Sequence, residues 1–527
     1  MLNIIRLWAK RVFFAAMALL LACLAVMSAL RTTTIGQNET HDDIAALGRD
    51  AVWPHLLFLP LLGLAVFLLR KKLAAWDPKI LTWVMAGWML ALGLLWIYAA
   101  QVSPRADQGA AAWAASDFAK NEYWWLQNTD YPYFRFYPFQ LGFTRWLEAW
   151  FRGAYPLLLD RFHVPQEQLF DTAAMAYQAV NVLLLCGACL LLLWWLRLAL
   201  PEKRAPQNLL ALGLMGFTPA ILYCSFVYGV MPGLFFSLLA AAFQMKFIRS
   251  GKIYWVPLAA VSIALACLLK PNSMIVLAAL CIQLLLYFCK DPRKWLRLAM
   301  IPLCAACVLL AGALPQKTYE RRADVELGGG IPRLAWLAMG LADTSKLGPG
   351  WWDPQYSTGV YYEAGGDPAQ MNALTREILR AQLKDMADNP RRTLRFFLRK
   401  AESQWCEPTY ESVWLNAACG HGESRLQGLA QSVYDGLPGR ALQQWMDLAQ
   451  TALYALAALG AVFQLKKPKT GMLALPVAVF GGFLYHQLFE GKSQYIFPYA
   501  LLLLPLAACG LWQAVEWTIA KMKGKAR

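Results

Sequence analysis

Apolar residues run through this chain in blocks close to the ~20 residues that carry a helix across a bilayer core. Twelve stretches qualify, some of them short: near 12–30, 52–70, 80–100, 172–197, 208–224, 229–246, 254–269, 272–289, 296–314, 447–464, 471–488 and 494–517. The first is longer than a cleaved leader, lacks a clear small-residue cleavage site and is followed by further spans. The pattern predicts an all-α polytopic membrane protein with about 12 transmembrane helices. Spacing divides it into three N-terminal spans (1–100), a first long segment (101–171), a six-span block (172–314), a very long segment (315–446), and three spans with a basic tail (447–527). No fixed-period repeat is visible, and no inverted pair of Gly/Pro-broken spans.

Composition agrees with the pattern. Of 527 residues 58% are hydrophobic and 16% charged, where a soluble chain carries about 25% charged residues. A soluble enzyme and a disordered chain are excluded, and 12 Cys are too few for a disulfide scaffold. The net charge of +16 would suit nucleic acid until the cations are located. With the N-terminus (Arg6, Lys10, Arg11) placed inside, twenty-four Lys and Arg fall in inside segments, including Arg70 to Lys79 and Lys521 to Arg527. The short outside loops hold four: Arg31, Arg49, Lys270 and Lys492. This asymmetry places both termini in the cytoplasm and the two long segments outside, as in a multi-pass protein of a bacterial cytoplasmic membrane.

Candidate chemistry lies in the outer segments. Asp107, in Ser103-Pro-Arg-Ala-Asp-Gln108, stands just past an apolar span and ahead of an Ala/Trp-rich helical run, Gly109 to Gln127. Two readings stay open: a helix N-cap, or a half-buried carboxylate with a raised pKa that serves as a general base. Lys270 ends a span in Cys267-Leu-Leu-Lys-Pro-Asn-Ser273, against the positive-inside trend. It is either a cation for a phosphate at headgroup depth or a snorkelling helix end. Glu490, Lys492, Gln494 and Tyr495 crowd one short outer turn, which favours a site lining over a plain turn.

Other signals are weaker. Cys186-Gly-Ala-Cys189 and Cys304-Ala-Ala-Cys307 lie inside apolar helices and read as core residues. The His residues at 41, 55, 163, 421 and 486 show no metal-ligand spacing, so a divalent metal has no support. There is no P-loop, Rossmann fingerprint or nucleophile elbow. Asn38-Glu-Thr40 is a three-residue sequon of little weight.

Taken in order, these residues resemble the GT-C membrane glycosyltransferases, in particular the protein O-mannosyltransferase and aminoarabinose transferase branch, glycosyltransferase family 39-like. The resemblance rests on Asp107, on the Tyr/Pro-rich run Asp130 to Gln140, on Lys270-Pro271, and on Glu490 with Gln494-Tyr495. Trp336 to Gly340, Gly348-Pro-Gly-Trp351 and Trp405-Cys-Glu-Pro408 add to it. It implies a GT-C-like fold with membrane-lying helices in both outer loops. It also implies an inverting transfer of a sugar from a polyprenyl-phosphate donor to a cell-envelope glycan, lipid or protein hydroxyl. Asp107 would act as base, Lys270 with Arg105 or Lys492 would bind the donor phosphate, and Glu490, Gln494, Tyr495 and Tyr137 would line the substrate space.

Two departures from that branch stand out: Val230 where an acid is expected, and Gln494 where an Arg is common. A second acid would have to come from Asp117, Glu122 or Asp130, or be dispensed with. The first two spans look like an addition. The rival classes are a secondary transporter, which fits the span number, and a polymerase or ligase of lipid-linked glycans, for which Arg391, Arg392 and Arg395 would be the loop cations. Cys406 and Cys419, 13 positions apart on the oxidising side, are candidates for a disulfide.

Overall fold

The computed structural model describes residues 2–37, 43–288, 292–343 and 348–525. The Asn38 sequon, His41, Lys290 and Leu347 lie outside the described residues. Every predicted span is found as helix, but the twelve are not equivalent. Among the described residues nine helices are long and apolar enough to cross a bilayer. The 208–224 stretch is instead a bent pair, Arg204–Gly216 and Pro219–Ser225, broken by 53°. Trp255–Leu269 and Ala474–Leu488 have only 15 residues each, about 22 Å of helix. Lys270 and Glu490 follow the C-terminal ends of these two short helices.

The N-terminal unit begins with α1 (Leu2–Leu30), which leads into a two-stranded antiparallel ribbon, β1 (Arg31–Gln37) and β2 (Asp43–Arg49). This ribbon was not foreseen. Thr32, Thr33, Thr34 and Ile35 favour strand, and the register pairs Thr33 with Leu47. Helix α2 (Val52–Ala75) returns, and α3 (Pro78–Ala100) starts from an Asp77 cap with Pro at its first position. Helix α4 (Ala106–Ala119) opens the first long segment.

Burial sorts the spans into a core and a rim. The apolar stretches of Phe497–Gly524 and Val230–Ser250 are mostly buried, whereas those of Val52–Ala75 and Trp295–Ala323 are mostly exposed. Helices in lipid gain no hydrophobic force by pairing, so close backbone approach has to hold them. Gly510 shows this: a Cβ there would lie 2.0 Å from the Leu456 carbonyl, on the neighbouring Leu437–Lys466 helix.

Both long segments between the spans are folded. The aromatic run after α4 forms short helices at Tyr133–Phe136 and Pro138–Gln140, with Phe134, Phe136 and Tyr133 buried beside Phe118 and Tyr319. Glu148 is fully buried and meets Arg145 at 2.5 Å, Arg152 at 2.8 Å, Arg322 at 2.9 Å and the Tyr319 hydroxyl at 2.5 Å. The second segment carries two helices, Pro368–Asp388 and Pro390–Trp405, parted where Pro390 cannot donate. Cys406 and Cys419 are free thiols. The expected pair is not formed; the Cys419 thiol donates instead to the Leu415 carbonyl. Cys186, Cys189 and Cys304 are buried free thiols and Cys307 is partly buried, in keeping with a packing role.

Candidate functional site

Asp107 is not a cap. Arg105 holds the N-cap position of α4 without a side-chain bond, and Asp107 lies in the first turn. Ala106, just before it, has φ 48°, a left-handed conformation that costs a non-glycine residue about 1–2 kcal/mol. That kink turns the carboxylate toward the aromatic run, where Oδ1 accepts a bond from the Tyr133 hydroxyl at 3.1 Å. The side chain keeps an open face, yet protein surrounds it closely. Desolvation therefore raises its pKa, against the lowering pull of Tyr133, Lys270 and Lys492.

Lys270 follows the short Trp255–Leu269 helix, which is pressed close to its neighbours by glycine. A Cβ at Gly229 would lie 1.9 Å from the Leu269 carbonyl. The ammonium sits 4.3 Å above the Tyr228 ring and 5.3 Å from that of Tyr495. Among the described residues it makes no ion pair. Burial lowers its pKa to about 8, with Asp107 and Glu490 pulling the other way. A cation boxed by aromatic faces, with carboxylates in range but none in contact, is placed to receive an anion.

Glu490 completes the charged set. Its pKa is pushed up to about 7 by burial and also by Asp107, although Lys492, the Tyr495 hydroxyl and Lys270 all stabilise the anion. The His486 ring, beside it, stacks on Tyr495 at 5.4 Å. Tyr137 is buried and feels the charge of both Asp107 and Glu490, so its hydroxyl stays protonated. Asp107, Tyr137, Lys270, Glu490, Lys492 and Tyr495 thus come together from four remote parts of the chain.

The remaining expectations are placed as follows. Arg105 is spent on the Ala418 carbonyl at 2.9 Å. Gln494 gives its backbone N–H to Glu411 at 3.1 Å. Asp117 accepts from the indoles of Trp124 (2.9 Å) and Trp125 (3.0 Å), and Asp130 receives nothing from the site cations. Neither lies with Lys270 and Lys492, whereas Glu490 does. Val230 opens the Val230–Ser250 helix and lines an apolar groove. Arg392 forms an exposed ion pair with Asp385 at 3.2 Å, away from the site.

The groove itself runs between three helices. Val230, Leu234, Val276, Pro498 and Leu502 give it apolar walls, and Lys270, Ser273 and Tyr495 also line it.

Asp43, Lys400 and the Asp50, His55 and Asp447 group were missed in the sequence. Lys492 bonds Asp43 at 2.9 Å and lies 3.8 Å from Glu411. Burial would lower its pKa, but Glu411 and Asp43 outweigh that and raise it. Lys400 is fully buried, its ammonium donating to the carbonyls of Gly340 (2.5 Å), Phe489 (2.6 Å) and Gln487 (3.1 Å). It ties the large outer segment to the Glu490 turn, and burial lowers its pKa to about 7. Asp50, His55 and Asp447 gather their ligating atoms within 4.8 Å, the group of this kind found among the described residues. Linear spacing could not reveal it, since Asp447 is distant in sequence. A metal-bound His donates its other ring N–H, yet His55 Nδ1 is buried with no partner among the described residues. The group therefore fits a hydrogen-bonded pin better than a metal site.

Comparison with known proteins follows from this geometry. Residues 155–515 match the model of a family described as conserved hypothetical integral membrane protein. The chain belongs to that family. The matched region carries Lys270, Lys400 and the Glu490 turn, whereas Asp43 and Asp107 precede it. No curated protein matches the chain. Among solved structures it is similar to the archaeal oligosaccharyltransferase AglB from Archaeoglobus fulgidus, determined with an inhibitory peptide and a dolichol-phosphate. That likeness has 14% identity and a TM-score of 0.43, and covers 87% of this chain and 52% of the other. The chain thus spans about half the length of that enzyme.

Proposed function

We propose that this protein is a membrane glycosyltransferase that moves a sugar from a polyprenyl-phosphate donor to an acceptor hydroxyl at the outer face of a bacterial cytoplasmic membrane. One observation carries the reading: Lys270, a cation with no ion pair among the described residues, lines a mostly apolar pocket, and the partly open carboxylate of Asp107 lies within its field. The polyprenyl chain lies in the groove and its phosphate against Lys270. Asp107 accepts the proton of the acceptor hydroxyl as that oxygen bonds to the anomeric carbon. The bond from that carbon to the phosphate oxygen breaks, and its electron pair leaves with the phosphate, whose charge Lys270 balances. A single displacement of this kind inverts the anomeric centre. Glu490, Tyr495 and Tyr137 present hydrogen-bonding groups to the sugar. The leaving group is already a phosphate, so a placed base and a cation are enough without a nucleotide fold.

The cytoplasmic placement of both termini, argued from the twenty-four inside cations, puts this site on the outer side, and the five-part division of the chain belongs to the same proposal. The test is transfer of label from radiolabelled polyprenyl-phosphate sugars in membranes bearing wild-type protein or Asp107→Asn. Transfer by the wild type and a loss of about 10²–10⁴-fold in the variant is expected for removal of a general base. Equal transfer by both would remove Asp107 from the chemistry.

A further inference from the structure

The β1–β2 ribbon has no part in the reaction as described, and it lies ahead of the family-matched region. It is nevertheless docked on the site. Thr33 donates its N–H to the Cys406 carbonyl at 2.8 Å and its hydroxyl to the Glu402 carbonyl at 3.0 Å. At the far end of β2, Asp50 accepts from the Thr32 hydroxyl at 2.9 Å and meets His55 Nε2 at 3.1 Å, which also contacts Asp447 at 3.3 Å. Both ends of β2 are therefore fixed against the C-terminal half of the chain. Its first residue is Asp43. Asp43 Oδ2 accepts from the Lys492 ammonium at 2.9 Å, and Oδ1 from the Trp414 indole at 3.0 Å.

We propose that Asp43 is a positioning residue of the site: it holds the Lys492 ammonium on the ribbon side of the Glu490 turn and leaves Lys270 to meet the donor phosphate. This rests on the transfer reading above. The charges facing Lys492 are Asp43 from the ribbon, Glu411 from the loop ahead of the Ser412–Ala417 helix, Glu490 on its own turn and Asp107 from α4. Arg105 stands near Asp43, and Lys270 is the remaining cation. Glu411 also accepts from Ser493 Oγ at 2.9 Å and Gln494 N at 3.1 Å, so one network holds both the turn and its lysine. Without the Asp43 carboxylate, the nearest acids left to Lys492 are Glu411 and Glu490. The ammonium then swings toward Glu490 and disturbs the residues that present the sugar. The N-terminal spans, on this view, complete the site through a single side chain.

The test uses the purified full chain in detergent, as wild type, Asp43→Asn and Asp43→Glu, pulsed with an amine-reactive N-hydroxysuccinimide ester and read by peptide mass spectrometry. Lys492 modification should rise about tenfold in Asp43→Asn, the factor for one pKa unit, with wild-type levels in Asp43→Glu. Lys400, fully buried, should stay unmodified in all three. Unchanged labelling of Lys492 in Asp43→Asn overturns the proposal. Labelling of Lys400 as well overturns it too, because the carboxylate would then only hold the fold. In the transfer assay, Asp43→Asn should lower kcat and leave the donor KM unchanged. A raised donor KM at constant kcat would make Asp43 part of phosphate binding instead. If the wild type transfers no sugar, the transfer reading fails while the labelling result still decides the role of Asp43.

Discussion

The Tyr133 hydroxyl donates to Asp107 Oδ1 at 3.1 Å, so the candidate base is held by an aromatic segment that follows it by 26 positions. This bond stabilises the carboxylate and lowers a pKa that burial raises. Removing it in Tyr133→Phe should raise the Asp107 pKa further. The acid limb of kcat/KM, below which the base is protonated, should then move to higher pH by up to about one unit, the 1.4 kcal/mol equivalent of one hydrogen bond to a charged group. A pH profile of kcat/KM for both proteins checks this, and a limb that moves to lower pH would show that Tyr133 does not act on Asp107.

Lys270 sets the other limb. With its pKa lowered to about 8, the ammonium is present below that pH and lost above it. Donor use, read as kcat/KM for the free enzyme, should fall as pH rises through about 8. Lys270→Arg should extend activity to higher pH, since a guanidinium does not titrate there. Lys270→Ala should raise the donor KM at all pH values with little change in thermal stability. An unaltered donor KM would reduce Lys270 to a helix-end residue.

Lys400 behaves differently, because its partners are carbonyl oxygens. Lys400→Met would leave those of Gly340, Gln487 and Phe489 without their donor. At about 1–3 kcal/mol for each buried unsatisfied group, the loss should exceed that of any single site variant above. Thermal unfolding in detergent, monitored by tryptophan emission, should show a lower Tm for Lys400→Met than for Lys270→Ala.

The free thiols of Cys406 and Cys419 make a chemical prediction. Maleimide added to the denatured, unreduced protein should label both, and prior reduction should add nothing. Protection that disappears on reduction would mean that the two pair after all.

Close packing can be probed at Gly510. A Cβ there meets the Leu456 carbonyl, backbone that cannot rotate away. Gly510→Ala should separate the Leu437–Lys466 and Phe497–Lys525 helices and cost about 1–3 kcal/mol, read as a lower Tm without change in the donor KM.

What the sequence determined by itself was whatever the bilayer reads one residue at a time. Apolar length located every span, including the two that are too short to cross as full helices. Isolated polar residues at span ends marked Asp107, Lys270 and the Glu490 turn as worth attention, because a charge at that depth is costly unless it has work or a partner. Where each of them sits, and beside what, was decided only by tertiary structure. Asp107 reads as a cap until Arg105 is found in the cap position. Lys270 and Lys492 look alike in sequence, yet one faces aromatic rings and the other two carboxylates. A second acid was sought near Asp107, at Asp117, Glu122 and Asp130, whereas the carboxylate that shares its surroundings is Glu490, from the other end of the chain. Asp43, Lys400 and the Asp50–His55–Asp447 group left no local signal. Their partners are set by how remote segments pack, and pairing across 449 positions, as between Asp43 and Lys492, has no periodicity to read.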